Sequence, residues 1–518
     1  MPSVILDSSG NPMPSARRAS AARQELHQLA VSTRRADSRN HPQINATYDA
    51  AQNSDDMKNY WSAADPLDAD WSNSKAVRHR LVIRSRYEAA NNGYFDGMVQ
   101  THANYLVGTG PALRMQTGSA GFNALVERDW GVWCKTVHFR RKLWCMAHAK
   151  VQDGEAFGIL RNNPKAGPTE LDTVLVETEQ CTTPMLPYGM PGFIDGIHFD
   201  EFGNPIWYDI LKYHPGGQWF NPGQFIPEQI PAKFVVHWFA MQRPGQHRGA
   251  PEFRSTMNTG ATARRWREAT VAAAETAADI AALLTTTLAP DSEADLVAPL
   301  TAVEFQKRMM TSLPMGWDAR QMKGEHPNAT FEAFHKAQIN EQARPKSMPY
   351  NLAACDSSTY NYASGRLDHQ TYFSAIDVER EDANDLVLDP IFGMWFERYA
   401  LFMGFSGNPQ VAPSHTWDWP KHPVADVESE ANANDKQLKN GTKSPSRIYS
   451  EAGLDFENEI QVMAADYGVT VERMKEILWK QNFAVAATIE GQTAMQEAKG
   501  NIDPAKSLKV NDGGKNVA

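Results

Sequence analysis

Four cysteines in 518 residues, Cys134, Cys145, Cys181 and Cys355, are too few for a disulfide scaffold and fit reduced thiols. No apolar run approaches the roughly 18 residues needed to cross a bilayer. The N-terminus, MPSVILDSSGNPMPSARRAS, places its arginines after a very short apolar run, the reverse of a secretory signal. These absences lead us to expect a soluble intracellular protein without a membrane role.

Catalytic signatures are scarce too. The phosphate-cradling G-x-x-x-x-G-K-[ST] loop is missing; Gly441-Thr442-Lys443-Ser444 has the wrong order and sits in a polar linker. An ATP-driven motor is therefore not expected. No G-x-S-x-G elbow, H-E-x-x-H helix or C-x-x-C pair occurs, and no carboxylate pair stands in a setting that marks acid/base chemistry. We expect no enzyme, no cofactor and no resident metal. Basic excess is also lacking, since 51 Lys and Arg face 61 Asp and Glu for a net charge of −10. That argues against a surface that grips nucleic acid throughout, and leaves room for local basic patches.

What is present is ordinary globular composition, 42% hydrophobic and 22% charged, with length for roughly two to four domains. Residues 1–58 are rich in Ser, Ala, Asn and Arg and read as a mobile basic arm, solvated or partner-binding. From Trp61 to about Arg161 the pattern is mainly helical. Arg84 to Gly110 reads as one amphipathic helix with Tyr87, Tyr94, Met98 and Tyr105 on its stripe. Asn91, Asn92, Gly93 and Gly97 lie inside it, each at a cost of up to about 1 kcal/mol against Ala. From Asp172 to Phe239 short β-type runs take over: LDTVLVET, a pair of strands in GFIDGIHFDEFGNPIWYDIL joined at 200–205, and KFVVHWF.

An Ala-rich helix follows from about Thr256 to Leu288, ended by Pro290. Strand and loop come next, then a second helix from about Ala329 to Ala343, stopped by Pro345. SMPYNLAACDSSTYNYASG reads as loop. Long helices run from Arg366 to Met403 with Pro390 as a kink or restart. Beyond Pro423 come short helices in an acidic-polar stretch, and 491–518 reads as a disordered tail. The fold class is α+β, mainly helical.

Three constellations stay open between chemistry and packing. Cys134-x3-His138 and Cys145-x2-His148 could supply four zinc ligands, although their spacing matches no common finger and equally suits a buried helix. Arg264, Arg265, Trp266 and Arg267 interleave charge and aromatic surface, as a nucleic-acid contact or an exposed helix face would. Trp417-Asp418-Trp419-Pro420 could stack on a base or anchor the C-terminal region.

Taken in order, several segments resemble the lambda-type portal proteins of tailed bacteriophages. These are R-x-R with paired asparagines and a V-G-x-G close (Arg84, Arg86, Asn91, Asn92, Val107, Gly108, Gly110) and D-G-E-x-F (Asp153, Gly154, Glu155, Phe157). They continue with V-x-H and G-Q-x-R-G-x-P (Val235, His237, Gly245, Gln246, Arg248, Gly249, Pro251), then H-P-N-x-x-F-x-x-F (His326, Pro327, Asn328, Phe331, Phe334). The last is N-Y-S-S-x-R (Asn361, Tyr362, Ser364, Arg366), in which Ala363 replaces the first serine, and CDSSTY before it follows the family form only loosely. The resemblance covers roughly residues 60 to 460.

The resemblance implies a ring of about twelve subunits at a unique virion vertex, assembled in the host cytoplasm. Such a ring is the channel for packaging and ejecting double-stranded DNA. Its implied partners are the terminase large subunit, the major capsid or scaffolding protein, a head–tail adaptor and DNA passing without sequence specificity. The implied layout is a wing (59–255), stem helix (256–288), clip (289–328), second stem helix (329–345), tunnel loop (346–361), long wing and crown helices (362–420) and crown (421–490). Ser357, Ser358, Thr359 and Asn361 would face DNA, with Lys346 or Arg344 as isolated cationic rings. Arg84, Arg86, Asn91, Asn92, Arg248 and Arg366 would serve contacts between subunits or elements. The nearest alternative is a head-completion or adaptor ring; a nuclease or terminase subunit and an unfamiliar α+β enzyme are further rivals.

Overall fold

Residues 61–480 are described in a computed structural model, apart from 62, 184–191, 218–224, 280–282, 287–316, 321–330, 359, 406–410, 424–426 and 455. The chain divides into two units, Met1–Leu67 and Asp68–Ala518. In the first, Ala64 N–H donates to Trp61 O at 3.0 Å and Leu67 N–H to Asp65 Oδ1 at 3.1 Å, forming a turn. The expected arm 1–58 and tail 491–518 lie outside the described residues. All the helices and strands named in this section belong to the second unit.

Two helices, α1 (Lys75–Asn91) and α2 (Gly93–Val107), replace the single helix expected from Arg84 to Gly110. The break is Asn92, extended at φ −129° and ψ 101°. Its N–H still donates to Glu88 O at 2.8 Å and its carbonyl accepts from Asp96 N–H at 3.0 Å. Neither helix leaves that peptide unsatisfied. The break also resets the helical phase. Phe95, Met98, Val99, Ala103 and Leu106 form the buried stripe of α2, while Tyr87 is 55% exposed.

After strand β1 (Ala112–Met115) come α3 (Ala120–Thr136) and α4 (Phe139–Asp153), and α4 packs along α2. Two antiparallel sheets follow. In the first, β2 (Glu155–Asn162) lies between β3 (Leu171–Val176) and β8 (Val235–Phe239). The second is a meander of β4 (Phe193–Ile194), β5 (Ile197–Phe199), β6 (Pro205–Leu211) and β7 (Pro227–Pro231). Three strands thus form where two were expected, because Asp195-Gly196 makes a tight turn of its own with both residues at positive φ.

The Ala-rich helix is α5 (Met257–Asp279) and the next long helix α6 (Phe331–Ala343). Between them, β9 (Leu283–Thr286) pairs antiparallel with β10 (Trp317–Arg320). Most of the expected clip lies outside the described residues. A 3-10 turn (Arg344–Lys346) and a single helical turn (Tyr350–Ala353) then lead into α7 (Tyr362–Ala383), so the segment expected to be loop is partly helical. A π-turn (Asn384–Leu388) joins α7 to α8 (Asp389–Met403). Pro390 sits in the first turn of α8, and the widened turn before it accommodates its missing N–H without a break. Strand β11 (His415–Asp418) returns to pair with β1, and the short helices α9 (Val427–Lys439), α10 (Pro445–Glu451), α11 (Phe456–Asp466) and α12 (Val471–Trp479) follow.

The main core joins α2, α3, α4, α7 and α8 around Met98, Trp130, Leu143, Tyr372, Phe392 and Trp395. A smaller core lies between the two sheets around Phe157, Ile197 and Ile210. The residue types are those of an interior, and the fold is mixed helix and sheet, mainly helical.

Candidate functional site

Two sequence motifs far apart in the chain meet at one buried carboxylate. Glu155 opens β2 directly after Gly154, whose φ of +94° favours glycine. A Cβ on Gly154 would lie 2.1 Å from the carbonyl carbon of Ala250, and one on Gly249 would lie 2.1 Å from Gly154 O. Only paired glycines let these backbones cross. The crossing aims Arg248 at Glu155: Nη2 donates at 2.6 Å and Nε at 3.0 Å, while Gly249 N–H donates to the same carboxylate at 2.9 Å. Arg248 Nη1 also reaches Cys181 O at 3.0 Å, and its guanidinium lies over the Phe157 ring.

Arg78, Asp195 and His237 complete this cluster. Burial opposes the Glu155 charge, but Arg248, His237 and Arg78 outweigh it and hold the carboxyl well below its ordinary range. The cluster fastens α1, both sheets and the 245–251 segment. The arrangement locks elements together and leaves Glu155 no free lone pair for acid/base work.

A second cluster lies where the long helices converge. Lys150 Nζ on α4 donates to Glu252 at 2.7 Å and to Glu379 of α7 at 2.8 Å. Lys346 pairs with the same two carboxylates. His102 of α2 contacts Tyr372 Oη and Glu379 Oε2, each at 3.2 Å. Burial first and Lys346 second push His102 below its ordinary pKa. Burial works against the Glu379 charge, yet His102, Lys150 and Lys346 together hold it well below the usual range. His102, Glu252 and Glu379 stand close enough to hold a metal ion, but two ammonium groups already sit against those carboxylates. Lys346, only 7% exposed, is bound inward and does not present a cation to open space as the sequence suggested.

A third network explains the costly asparagines. Asn92 Oδ1 accepts from Arg267 Nη2 at 2.9 Å, and Glu88 accepts from Arg264 Nη2 at 3.0 Å. The same two guanidiniums lie over the Tyr94 and Tyr87 rings. Trp266, on the same helix, stacks on Phe331 of α6 with centroids 4.6 Å apart. The basic-aromatic run of α5 therefore docks helices, with only Arg265 fully outward. Asn91 is exposed and bonds back to Tyr87 O.

The remaining expected residues have separate settings. Arg86 grips Asp153 through two bonds of 2.9 and 2.8 Å and also meets Glu177 and Glu179. Arg84 and Arg366 are exposed and make no ion pair among the described residues. Ser357 and Ser358 are exposed, with Ser358 N–H held by Asp356 Oδ1. Asn361 caps α7, accepting from Ser364 N–H at 2.9 Å, a role its place before a helix could have signalled. Thr359 lies outside the described residues. Cys134, His138, Cys145 and His148 form none of the metal-competent groups among the described residues, and burial pushes the Cys134 thiol up. Trp417 and Trp419 donate to Asp389 and Asn384, anchoring β11 and the segment after it.

The family profile described as phage portal protein, lambda family, matches residues 57–380. The chain belongs to that family. It is 22% identical over 457 residues to a probable portal protein of Halomonas phage phiHAP-1, covering 80% of this chain and 84% of that one. Among solved structures it is similar to a chain in the neck of an empty GTA particle computed with C6 symmetry (13% identity, TM-score 0.42, 71% and 92% of the two chains). It is also similar to a chain in the virion of a native gene transfer agent particle (15%, TM-score 0.37, 72% and 93%). The segments that carried the resemblance in the sequence coincide with the crossing at Gly154 and Gly249 and with the helix break at Asn92.

Proposed function

We propose that this portal-family chain works as one subunit of a ring, about twelve strong, at a single vertex of the phage head. The ring is the channel for double-stranded DNA during packaging and ejection, and docks the terminase motor and later the tail connector. The observation that carries the reading is the pairing of α5 with α6, through Trp266 on Phe331 and Thr259 on Glu341, around an insertion whose ends pair as β9 and β10. On this reading α5 and α6 are the stem, the insertion is the clip, residues 59–255 the wing and 421–490 the crown.

The loop at 346–361 then faces the channel. Its exposed side chains among the described residues, Cys355, Ser357, Ser358 and Asn361, are short and neutral. Each neutralised phosphate releases counterions and adds affinity, so a basic lining would act as a brake. Short hydroxyls touch phosphate weakly and without regard to base sequence, which suits sliding. Lys346, pinned by Glu252 and Glu379, ties the loop's root to α7 and keeps its charge from the channel.

Negative-stain microscopy of the purified chain tests the proposal. A ring with a central hole wide enough for a DNA duplex supports it; a compact monomer at all concentrations overturns it.

A further inference from the structure

On an acidic chain, a cleft near the start of α4 is basic. It lies between the turn after α2, the end of α3 and the start of α4, with a volume of about 560 Å³. Lys135, Arg140 and Arg141 line it and are exposed, and none has a carboxylate partner among the described residues. Neighbouring Lys142 is engaged by Asp172, and Asp129 by Arg128 and Tyr399. Pro111 and Cys134 supply the apolar part of its lining, the floor, above the buried Phe139 and Leu143.

Two local rules are broken here. The first turn of α4 holds no acidic residue, so Arg140 and Arg141 crowd the positive end of the helix dipole. His138, which starts the helix, is left-handed at φ 53° and ψ 40° and gives no side-chain cap. Arg140 is held there: its Nε donates to Gly108 O at 3.3 Å, and its stem lies 3.4 Å from where a Cβ on Gly110 would be. Uncompensated cations at an uncapped helix start call for an anion from outside the subunit.

We propose that this cleft docks an acidic peptide segment of a partner protein, its carboxylates against Lys135, Arg140 and Arg141 and one apolar side chain on the floor. Charge complementarity selects an acidic partner, and the recessed apolar floor selects a peptide over nucleic acid. A double helix offers its phosphates on convex ridges and leaves such a floor empty. A rim of cations around an apolar anchor point is the usual anatomy of a peptide site.

Gly131 supplies a test that leaves the charges alone. It lines the cleft, and a Cβ there meets nothing within 4 Å, so Gly131→Phe fills the floor without a clash at its root. Binding of a fluorescein-labelled heptapeptide of Asp and Glu around one Phe is followed by anisotropy on the full chain, with R140E/R141E and G131F as variants. Both variants are checked for unchanged thermal unfolding. Each is expected to weaken binding about tenfold or more, and replacing Phe by Glu in the peptide to do the same. A peptide that fails to bind the unsubstituted chain, or binds either variant as tightly as the unsubstituted chain, overturns the proposal. So does a DNA duplex that binds, is lost in R140E/R141E and is kept in G131F, which assigns the cleft to nucleic acid.

Discussion

Arg267 Nη2 donates to Asn92 Oδ1 at 2.9 Å, and the same guanidinium rests 4.9 Å from the centre of the Tyr94 ring. Asn92 is 2% exposed, so the bond joins the α1–α2 break to the long helix α5 in a dry place. Asn92→Ala removes the acceptor and leaves the edge of a half-buried guanidinium without it. A loss of about 2 kcal/mol is expected, the scale of a hydrogen bond to a charged group. Urea unfolding reads it as a lower midpoint at unchanged slope. An unchanged midpoint would show that Asn92 serves only the backbone turn.

That helix shows how far the sequence could be read and where it stopped. Helix existence, the β character of 171–239 and the two long helices around an insertion are local patterns, and periodicity carries them. The break at Asn92 was hidden because the helical pattern of apolar residues runs on through Asn92-Gly93. Its reason lies in Arg267, 175 residues away. Likewise, Asp153-Gly154-Glu155 and Arg248-Gly249 were visible as two motifs, but no spacing rule says that Glu155 faces Arg248. Lys346 looked free because it sits in a polar segment, and only the convergence of Glu252 and Glu379 pins it.

The crossing of Gly154 over Gly249 makes a steric prediction. Gly154→Ala places a methyl 2.1 Å from a backbone carbonyl carbon and meets a positive φ besides. No side chain can move aside, so the cost exceeds about 3 kcal/mol and the soluble yield collapses. Gly393→Ala is the control, since a Cβ there meets nothing and α8 gains helix propensity. A well-folded Gly154→Ala protein would contradict the close approach.

Arg248 and Glu155 differ from a surface pair because both are buried. Arg248→Met leaves the Glu155 charge facing Arg78 at 3.8 Å and His237, without its main partner. A loss of about 3–5 kcal/mol is expected, as for one half of a buried pair removed. Arg248→Lys recovers less than half of it, because one ammonium cannot span Glu155, Cys181 O and Thr178 O together. Melting temperatures of the two variants check the order; a fully restoring lysine would show that charge alone matters.

Acid sensitivity arises from the same buried groups. His102 and His237 have folded pKa values below 6.5, lowered chiefly by burial. Below that value the unfolded chain takes up protons that the folded chain refuses, so stability falls as the pH drops from 6.5 toward the folded values. Glu155 and Glu379 are held well below 4.5, and their contribution is complete above that value and lost as the pH falls through the folded ones. Asp153 and Asp382, raised mainly by burial, work in the opposite sense but are outnumbered by the lowered groups. The melting temperature should be level between about pH 7 and 8, decline below 6.5 and fall steeply below 4.5. A rise between pH 7 and 5 would contradict the assignment.

The channel reading predicts an effect of charge and not of size at residues 357 and 358. Both serines are exposed, so Ser→Ala changes little in the fold and removes only weak hydroxyl contacts. S357K/S358K places new cations on every subunit of the proposed ring. Each added phosphate contact steepens the dependence of affinity on salt by about one unit of log slope. DNA translocation through rings of this variant should therefore slow at low salt and recover as salt rises, while S357A/S358A rings run at the original speed throughout. Lysine rings that slow DNA equally at all salt concentrations would point to a distorted loop, and rings that do not slow it would place these residues away from the DNA.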